Sequence, residues 1–295
     1  MQNISDSVFG ERKKKLNSFA EWVKSVGIDV DKTRIGEYQR FLSYLASKTC
    51  KQDFSEDDSS RMVHALREIE ELLWIQEGLK TQKLKGGMDV LKKILGGAPF
   101  AKDDSSIASA RDFQLELRIA SYFLQTGFNV DMDGDCDLEV LFPEGKLFVE
   151  CKRLKSQKKV MKRAKNAALQ LKNRYRSTKQ QKYGLAVFDI SNIIMPNQGI
   201  TSGPSGTGVR DLIRYHLVAF SQKFDVSRYF MSDKNALSVW LQAIVPTWYP
   251  VQEENVTEIS TRISSFHLVL APGSGPKARA FATLKRVLDY GLTCK

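Results

Sequence analysis

Apolar residues recur every three or four positions through the first third of the chain, which is the spacing of helices that bury one face. Four such segments lie near residues 8–26, 34–48, 57–80 and 88–95. Turn signals separate them: Gly27, the acidic and serine-rich residues 55–58, and the Gly86-Gly87 pair. The pattern predicts an all-helical region over residues 1–100.

From residue 105 onward the pattern alternates between helical and strand-like periods. A helix is expected over residues 111–128, with an apolar stripe formed by Phe113, Leu117, Ala120 and Leu124. The elements expected after it are a hairpin at 137–152, a helix, a buried strand at 183–190, a loop at 197–208, a helix at 209–224, strands at 236–247 and 264–271, and a closing helix at 277–290. This order predicts an α/β domain over residues 105–295, joined to the helical region through residues 96–106.

The hairpin sorts its residues onto two faces around the turn signal Pro143-Glu144-Gly145. If Glu144 and Gly145 are the central turn residues, Asp137 lies opposite Lys152 and Glu139 lies opposite Glu150. One face is then apolar throughout: Leu138, Val140, Phe142, Leu147, Val149 and Cys151. A three-residue loop would shift the pairing by one residue and send charges into the core, so the apolar pattern favours the first register.

The other face brings Asp137, Glu150 and Lys152 together at the end of the hairpin. Neighbouring carboxylates repel one another unless a cation offsets their charge, and Mg²⁺ prefers oxygen ligands of this kind. A metal so placed can lower the pKa of a bound water and stabilise charge on a phosphoryl group. Lys152 could orient that water or meet the phosphate as a point charge. The alternative interpretation is that Glu150 and Lys152 only cover an exposed strand face.

These residues, together with the helix before them, resemble the PD-(D/E)xK nuclease superfamily over about residues 105–190. The resemblance implies a restriction-endonuclease-like fold, which is a mixed sheet flanked by helices. It implies a catalytic set of Asp137, Glu150, Lys152 and Glu116, with Mg²⁺ or Mn²⁺ bound by Glu116, Asp137, Glu150 and the backbone carbonyl of Cys151. Cys136 stands where the family name has proline, so the match is to the looser form of the motif.

The residues by themselves leave two assignments open. Glu116 lies at the edge of an apolar helical stripe, where a surface glutamate is as good an interpretation as a metal ligand. Asp135 has the same strand parity as Asp137 and is an alternative ligand if the strand extends that far back.

A strongly basic segment follows the hairpin. Between Cys151 and Phe188 there is no Asp or Glu, whereas Lys and Arg occur thirteen times. A helix with one narrow apolar seam is expected, formed by Val160, Ala164, Ala168, Leu171 and Tyr175. Because a polyanion relieves the repulsion among its cations, we expect this helix to hold a nucleic-acid backbone. The residues expected to do so are Lys155, Lys158, Lys159, Lys162, Arg163, Lys165 and Gln170.

Gln170 and Tyr175 are similar to a glutamine-tyrosine pair in exonuclease-like branches of the superfamily, although the spacing differs. The alternative is that Gln170 forms a local hydrogen bond and Tyr175 packs in the core. Membrane binding is not expected, because the seam of this helix is rich in alanine and lacks large apolar wedges.

Composition narrows the classes of partner and chemistry. The chain has 295 residues and a formal net charge of +11, which favours anionic partners. No apolar run approaches the ~20 residues that span a bilayer, and the N-terminal residues lack a signal-peptide layout, so a soluble cytoplasmic protein is expected. The four cysteines show no metal-site spacing, and Cys136 and Cys151 are interpreted as small buried apolar residues. Nucleotide-binding glycine motifs and a serine-hydrolase order are missing from the sequence.

The function expected from these observations is a metal-dependent nuclease, acting on DNA more than RNA, in antiviral defence or restriction. The alternative is a non-catalytic module of similar fold that binds nucleic acid or docks a partner. Residues 1–100 would select the substrate or partner. A helicase or ATPase partner and a homodimer are further hypotheses.

Overall fold

The computed structural model describes residues 6–47, 55–82, 84–98, 110–177, 180–194, 201–202, 205–251, 256–270 and 274–293. Over these ranges the chain forms nine α-helices and one mixed sheet of seven strands. The expected α/β class is therefore confirmed at this level.

The first four helices are α1 (Asp6–Ser25), α2 (Arg34–Ser47), α3 (Glu56–Thr81) and α4 (Gly87–Leu95). They confirm the helical segments expected in this part of the chain. Ser55 lies at the N-cap of α3, where its hydroxyl accepts a hydrogen bond of 3.0 Å from the backbone N–H of Asp58. The acidic and serine-rich patch therefore begins a helix, because a side-chain oxygen satisfies one of its free N–H groups.

Helix α5 (Ala110–Gln125) leads into the sheet. The strands are β1 (Val130–Asp131), β2 (Leu138–Phe142), β3 (Gly145–Arg153), β4 (Lys182–Asp189), β5 (Thr201–Ser202), β6 (Ala236–Val251) and β7 (Val256–Leu268). Their order is β1-β2-β3-β4-β6-β5, and β7 also pairs with β6. Strands β3, β4 and β6 run parallel to one another, whereas β1, β2 and β7 are antiparallel to their neighbours.

Helix α6 (Val160–Arg174) connects β3 to β4, as parallel neighbours require a crossover of this kind. The remaining helices are α7 (Ser191–Ile194), α8 (Gly206–Lys223) and α9 (Gly275–Thr293). The loop expected at 197–208 is wrong in two places, because Thr201–Ser202 pairs with β6 and α8 already begins at Gly206. Residues 197–200 and 203–204 of that segment lie outside the described ranges.

The register of the β2–β3 hairpin differs from the prediction by two residues. Leu138 pairs with Val149 and Phe142 pairs with Gly145, so the turn consists of residues 143 and 144. The expected pairing of Glu139 with Glu150 is wrong, since Glu139 pairs with Phe148. Asp137 opposite Lys152 is wrong as well, because the register observed in β2 would place residue 137 opposite residue 150.

Gly145 explains why the turn comes one residue earlier than expected. Its φ of 143° is a conformation that side chains rarely adopt, and a Cβ there would overlap the backbone oxygen of Gln181. Because a shift of two residues keeps every side chain on its own face, the assignment of faces survives the error. All six residues of the expected apolar face are buried.

Two hydrophobic cores lie on opposite faces of the sheet. The first packs helices α1–α5 and α9 against one face, into which Leu147, Val149 and Cys151 point. The second lies beneath α6 and α8, and Phe148 enters it from β3. Helices α1–α4 thus share one continuous core with the sheet. The selecting role of residues 1–100 stays a prediction, and residues 99–106 of the expected joint lie outside the described ranges.

Charged side chains also lie within the first core. Arg34 of α2 and Glu68 of α3 form an ion pair of 2.9 Å with both side chains fully buried. Burial by itself raises the pKa of Glu68, but the positive charges of Arg111 and Arg34 outweigh it and hold that pKa well below its usual range. The Glu68 carboxylate is therefore ionised, and it stabilises the packing of α2 on α3.

Replacing Glu68 by Gln should lower the free energy of unfolding at pH 7 by roughly 3–5 kcal/mol, because it leaves the buried Arg34 without its anionic partner. A carboxylate with a depressed pKa in the folded state contributes stability above its unfolded pKa and loses it as the pH falls. The wild-type protein should therefore lose stability below about pH 5, and Glu68→Gln should show a shallower loss. Urea unfolding across this range measures both, and equal acid slopes in the two proteins would contradict the assignment.

Candidate functional site

The candidate site forms where β3 extends past Leu138, the first residue of β2. The last described pair of the hairpin joins Leu138 to Val149, so the backbone of Cys151 has no strand partner on the β2 side. Instead, the Cys151 N–H donates a hydrogen bond of 2.6 Å to Oδ2 of Asp137. The N–H and carbonyl of one strand residue point to the same edge, so the carbonyl of Cys151 also faces Asp137.

Lys152 lies between the two carboxylates of the hairpin. Its Nζ is 3.0 Å from Oε2 of Glu150 and 3.5 Å from Oδ2 of Asp137. Burial would lower the pKa of Lys152, but the negative charges of Asp137 and Glu150 outweigh it and raise that pKa. Lys152 is therefore a cation at neutral pH and partly neutralises the cluster.

Glu116 reaches the same cluster from α5. Burial raises the pKa of Glu116 to about 8, and the negative charges of Asp137, Asp112 and Glu150 add to the effect. Glu150 is 1% exposed, and burial together with the charge of Asp137 raises its pKa to about 7. The structure thus brings all four side chains of the expected catalytic set within electrostatic reach of one another.

The structure separates Asp135 from this cluster. Its side chain is 86% exposed and forms an ion pair of 3.3 Å with Arg174 of α6. Glu139, the other nearby carboxylate, pairs with Lys146 at 2.7 Å. Of the two aspartates left open by the sequence, Asp137 is the one whose carboxylate meets Lys152 and the backbone of Cys151.

The residues of the cluster suit a hard divalent cation by their type. Oε1 of Glu150 is buried and has no hydrogen-bond partner in the described part of the chain, which leaves a carboxylate oxygen unsatisfied. Carboxylate oxygens from Glu116, Asp137 and Glu150 and the carbonyl of Cys151 are ligands that Mg²⁺ accepts. Among the described residues, no three or more His, Cys, Asp and Glu side chains are arranged as a metal site. The Lys152 ammonium lies between the carboxylates of Asp137 and Glu150, so part of their negative charge is already offset.

Helix α6 has the expected seam and cationic face. Val160, Ala164, Ala168, Leu171 and Tyr175 are buried. The six expected cations of this segment are exposed, and none forms an ion pair with another residue of the described ranges: Lys155, Lys158, Lys159, Lys162, Arg163 and Lys165.

Gln170 and Tyr175 of the α6 segment differ in their surroundings. Gln170 is half-buried. The ring of Tyr175 packs against Phe148 with centroids 6.3 Å apart. Tyr175 is therefore part of the second core, as the packing interpretation expected.

Reasoning from the sequence missed a group of buried charges behind the site. Arg118 of α5, Arg153 of β3 and Asp189 of β4 are all buried. A signal was present in α5, where Gln114 and Arg118 are spaced like members of its apolar stripe. Arg153 likewise continues the face of β3 that is otherwise apolar. Polar residues at core positions indicate buried networks, but their partners lie far apart in the chain.

No protein-family model, no curated protein and no solved structure matches this chain. In the described ranges, no helix combines the length and apolar character needed to cross a membrane.

A metal held by these carboxylates should stabilise the folded protein. At about 100 times its dissociation constant, Mg²⁺ or Mn²⁺ should add about 2.7 kcal/mol to the free energy of unfolding, because it binds the folded state alone. Thermal unfolding with EDTA and with each metal measures this shift. Glu150→Gln should abolish it, whereas Glu139→Gln on the same hairpin should keep it. Stabilisation that is equal in both variants would place the metal elsewhere.

Proposed function

We propose that this chain is a metal-dependent nuclease that hydrolyses phosphodiester bonds of nucleic acid, with DNA as the preferred substrate. The observation that carries the proposal is the meeting of Asp137, Glu150 and Lys152 at the end of the hairpin, with Glu116 of α5 beside them. Carboxylates whose pKa is raised by burial and by neighbouring negative charge, as for Glu116 and Glu150, occur often at functional sites. The preference for DNA rests on the resemblance to the PD-(D/E)xK superfamily.

The order of elements supports a restriction-endonuclease-like fold. Helix α5, the strands β1 to β3, the crossover helix α6 and the parallel strand β4 follow one another as that resemblance implies. The candidate residues lie on the elements expected to carry them, with Glu116 on the helix before the hairpin. Restriction or antiviral defence is a setting inferred from the resemblance alone.

In this proposal Glu116, Asp137, Glu150 and the carbonyl of Cys151 hold Mg²⁺ or Mn²⁺. The metal would supply a water of lowered pKa and positive charge for the developing phosphorane. Lys152 remains protonated and acts as a point charge that orients the water or the scissile phosphate. Asp137 has a second task, because its hydrogen bond to Cys151 sets the position of β3 beside the cluster.

Helix α6 would hold the backbone of the substrate. It begins a few residues after Lys152, and its exposed cations face solvent without carboxylate partners in the described ranges. Neutralising phosphates releases their counterions, which is the main source of affinity that does not depend on base sequence. Lys155, Lys158, Lys159, Lys162, Arg163 and Lys165 are the proposed contacts, with Gln170 nearer to the packed side of the helix.

A second candidate is a nucleic-acid-binding or partner-docking module without catalysis. The observation in its favour is that Lys152 already lies between Asp137 and Glu150, so the cluster is partly neutral without a metal. This candidate keeps the role of α6 and removes the cleavage step. Metal-dependent cleavage therefore separates the two.

The first test is cleavage by the purified protein in Mg²⁺ or Mn²⁺. Duplex, nicked and single-stranded DNA and RNA should be compared, and at least one should be degraded with EDTA abolishing the reaction. Lys152→Ala should reduce the cleavage rate by at least about 100-fold, because it removes a charge that acts on the reacting phosphate. Lys24→Ala, which removes an exposed lysine of α1, should leave it unchanged.

Binding should persist in Lys152→Ala, because α6 would supply most of the contacts to phosphate. Binding without cleavage by the wild-type protein on every substrate would favour the second candidate. Cleavage that survives Lys152→Ala would refute the assignment of the site.

The role of α6 can be tested by the salt dependence of binding. Lys158→Ala with Lys162→Ala should weaken DNA binding and reduce the slope of log affinity against log salt by about 2, or about 1 for each lost phosphate contact. Arg279→Ala with Lys285→Ala removes the same charge from the exposed face of α9 and serves as the matched control. Fluorescence anisotropy at several salt concentrations gives the slopes, and equal losses in both double variants would contradict the proposed surface.

A further inference from the structure

Four buried charged side chains meet directly behind the end of β3. They are Glu71 of α3, Arg118 of α5, Arg153 of β3 and Asp189 of β4, which we call the charge cluster. Arg118 lies 3.0 Å from both carboxylates, while Arg153 lies 3.6 Å from Asp189 and 3.9 Å from Glu71. Each of the four side chains is at most 4% exposed. Arg67 of α3 adds a further cation, with its Nε 3.8 Å from Oε1 of Glu71, so both buried carboxylates are paired with arginines, as buried charges require.

The charge cluster adjoins the candidate site through the backbone. Arg153 follows Lys152, and the next residue, Leu154, donates its N–H to the carbonyl of Asp189 at 2.9 Å. Beyond Val149, β3 has lost its strand partner on the β2 side. The end of β3 that carries Glu150 and Lys152 is therefore held by β4 on one side, and by the Arg153 side chain in the core.

Helix α5, which carries Glu116, also contacts the charge cluster. Arg118 and Gln114 point into the core from α5, two residues on either side of Glu116. The side-chain amide of Gln114 donates to Oε2 of Glu71 at 2.8 Å. Glu71 of α3 thus contacts both the helix that carries Glu116 and the strand that carries Glu150 and Lys152.

Asp189 is held firmly on its other side. Its Oδ1 accepts hydrogen bonds from the backbone N–H of Ser191 at 3.0 Å and from the Ser191 hydroxyl at 2.5 Å. The same hydroxyl accepts a hydrogen bond of 2.9 Å from the backbone N–H of Ile244 in β6. Arg153 therefore lies between a carboxylate fixed to the centre of the sheet and a carboxylate of the N-terminal helices, within ion-pair distance of both.

We propose that Arg153 is a positioning residue. Through the ion pair between Arg153 and Glu71 of α3, the N-terminal helices set the geometry of the candidate site. Loss of this ion pair would loosen the last residues of β3, so that Glu150 and Lys152 no longer keep their positions relative to Asp137 and Glu116. This inference rests on the proposed function for its consequence in catalysis, while its structural part stands on the cluster alone. It gives α3 a task in the site that differs from selecting a substrate.

The test compares Arg153→Lys with Arg34→Lys. Both substitutions keep the positive charge at a buried ion pair, but replace the five N–H donors of a guanidinium by a single ammonium group. Both proteins should therefore fold with reduced thermal stability. Arg34 pairs with Glu68 and also donates to the side-chain oxygen of Gln114 in α5, but in the described part of the chain it contacts neither Arg153 nor β3, which makes it the matched control for exchange in β3. Glu71→Gln repeats the test from α3, and Glu68→Gln, one turn away on the same helix, is its control.

Hydrogen exchange of the backbone amides of Cys151 and Leu154 is the first measurement, because it needs neither metal nor substrate. Exchange at these two amides should be faster in Arg153→Lys and Glu71→Gln than in their controls. Manganese affinity, measured by titration, is the second. It should fall by about 10- to 100-fold in the same two variants, as is usual when a residue that orients metal ligands is lost. Any catalytic loss should appear in kcat more than in KM.

Equal exchange at Cys151 and Leu154 in Arg153→Lys and Arg34→Lys would overturn the inference, because both changes would then act only on global stability. Faster exchange confined to Arg153→Lys and Glu71→Gln would support it. If the wild-type protein binds no manganese, the proposed metal site fails, and the exchange comparison still decides the role of Arg153.

Discussion

The start of β2 at Leu138, which leaves the last residues of β3 without a partner on that side, is the constraint on which the candidate site depends. Beyond that point the backbone N–H of Cys151 must find an acceptor other than a neighbouring strand, and the carboxylate of Asp137 provides it. This hydrogen bond draws an anion to the edge of β3, where Glu150 already lies buried. Lys152 then offsets part of the charge, and the Cys151 carbonyl is left facing the cluster. The unpaired edge of β3 therefore brings Asp137 to Glu150 and Lys152 and fixes how their side chains are oriented.

Charge is buried on both sides of the same strand end. In front, three carboxylates and one ammonium form the candidate cluster, in which burial raises the pKa of Glu116 and Glu150 and one oxygen of Glu150 has no hydrogen-bond partner in the described chain. Behind, the charge cluster pairs Glu71 and Asp189 with Arg118 and Arg153. Removing any member of this group would leave an uncompensated charge in the core, so the group resists rearrangement. The cluster in front, which has an unsatisfied carboxylate oxygen, is therefore backed by a group of buried ion pairs.

Much of the local structure follows from the sequence. The four N-terminal helices, α5, the seam of α6 and the two faces of the hairpin were all predicted from period and turn signals. The hairpin register was wrong by two residues, because alternation reports only which face a residue occupies and not which residue lies opposite it. Alternation could not separate Asp135 from Asp137 either, because residues two apart lie on the same face of a strand. What distinguishes the two aspartates is that β2 begins at Leu138, directly after Asp137, and this boundary is set by pairing with β3.

By itself, the sequence determined which elements form, which face of the hairpin is apolar, and where cations gather along α6. These properties depend on neighbours a few residues apart, whose spacing sets the periodic burial of side chains. The tertiary structure decided that Asp137 meets Lys152, that Asp135 turns to Arg174, and that Arg153 is buried between Glu71 and Asp189. Each of these depends on charged residues that become neighbours only when the chain folds. For the buried pairs, the low local dielectric strengthens the pairing, whereas Asp135 pairs with Arg174 at the surface.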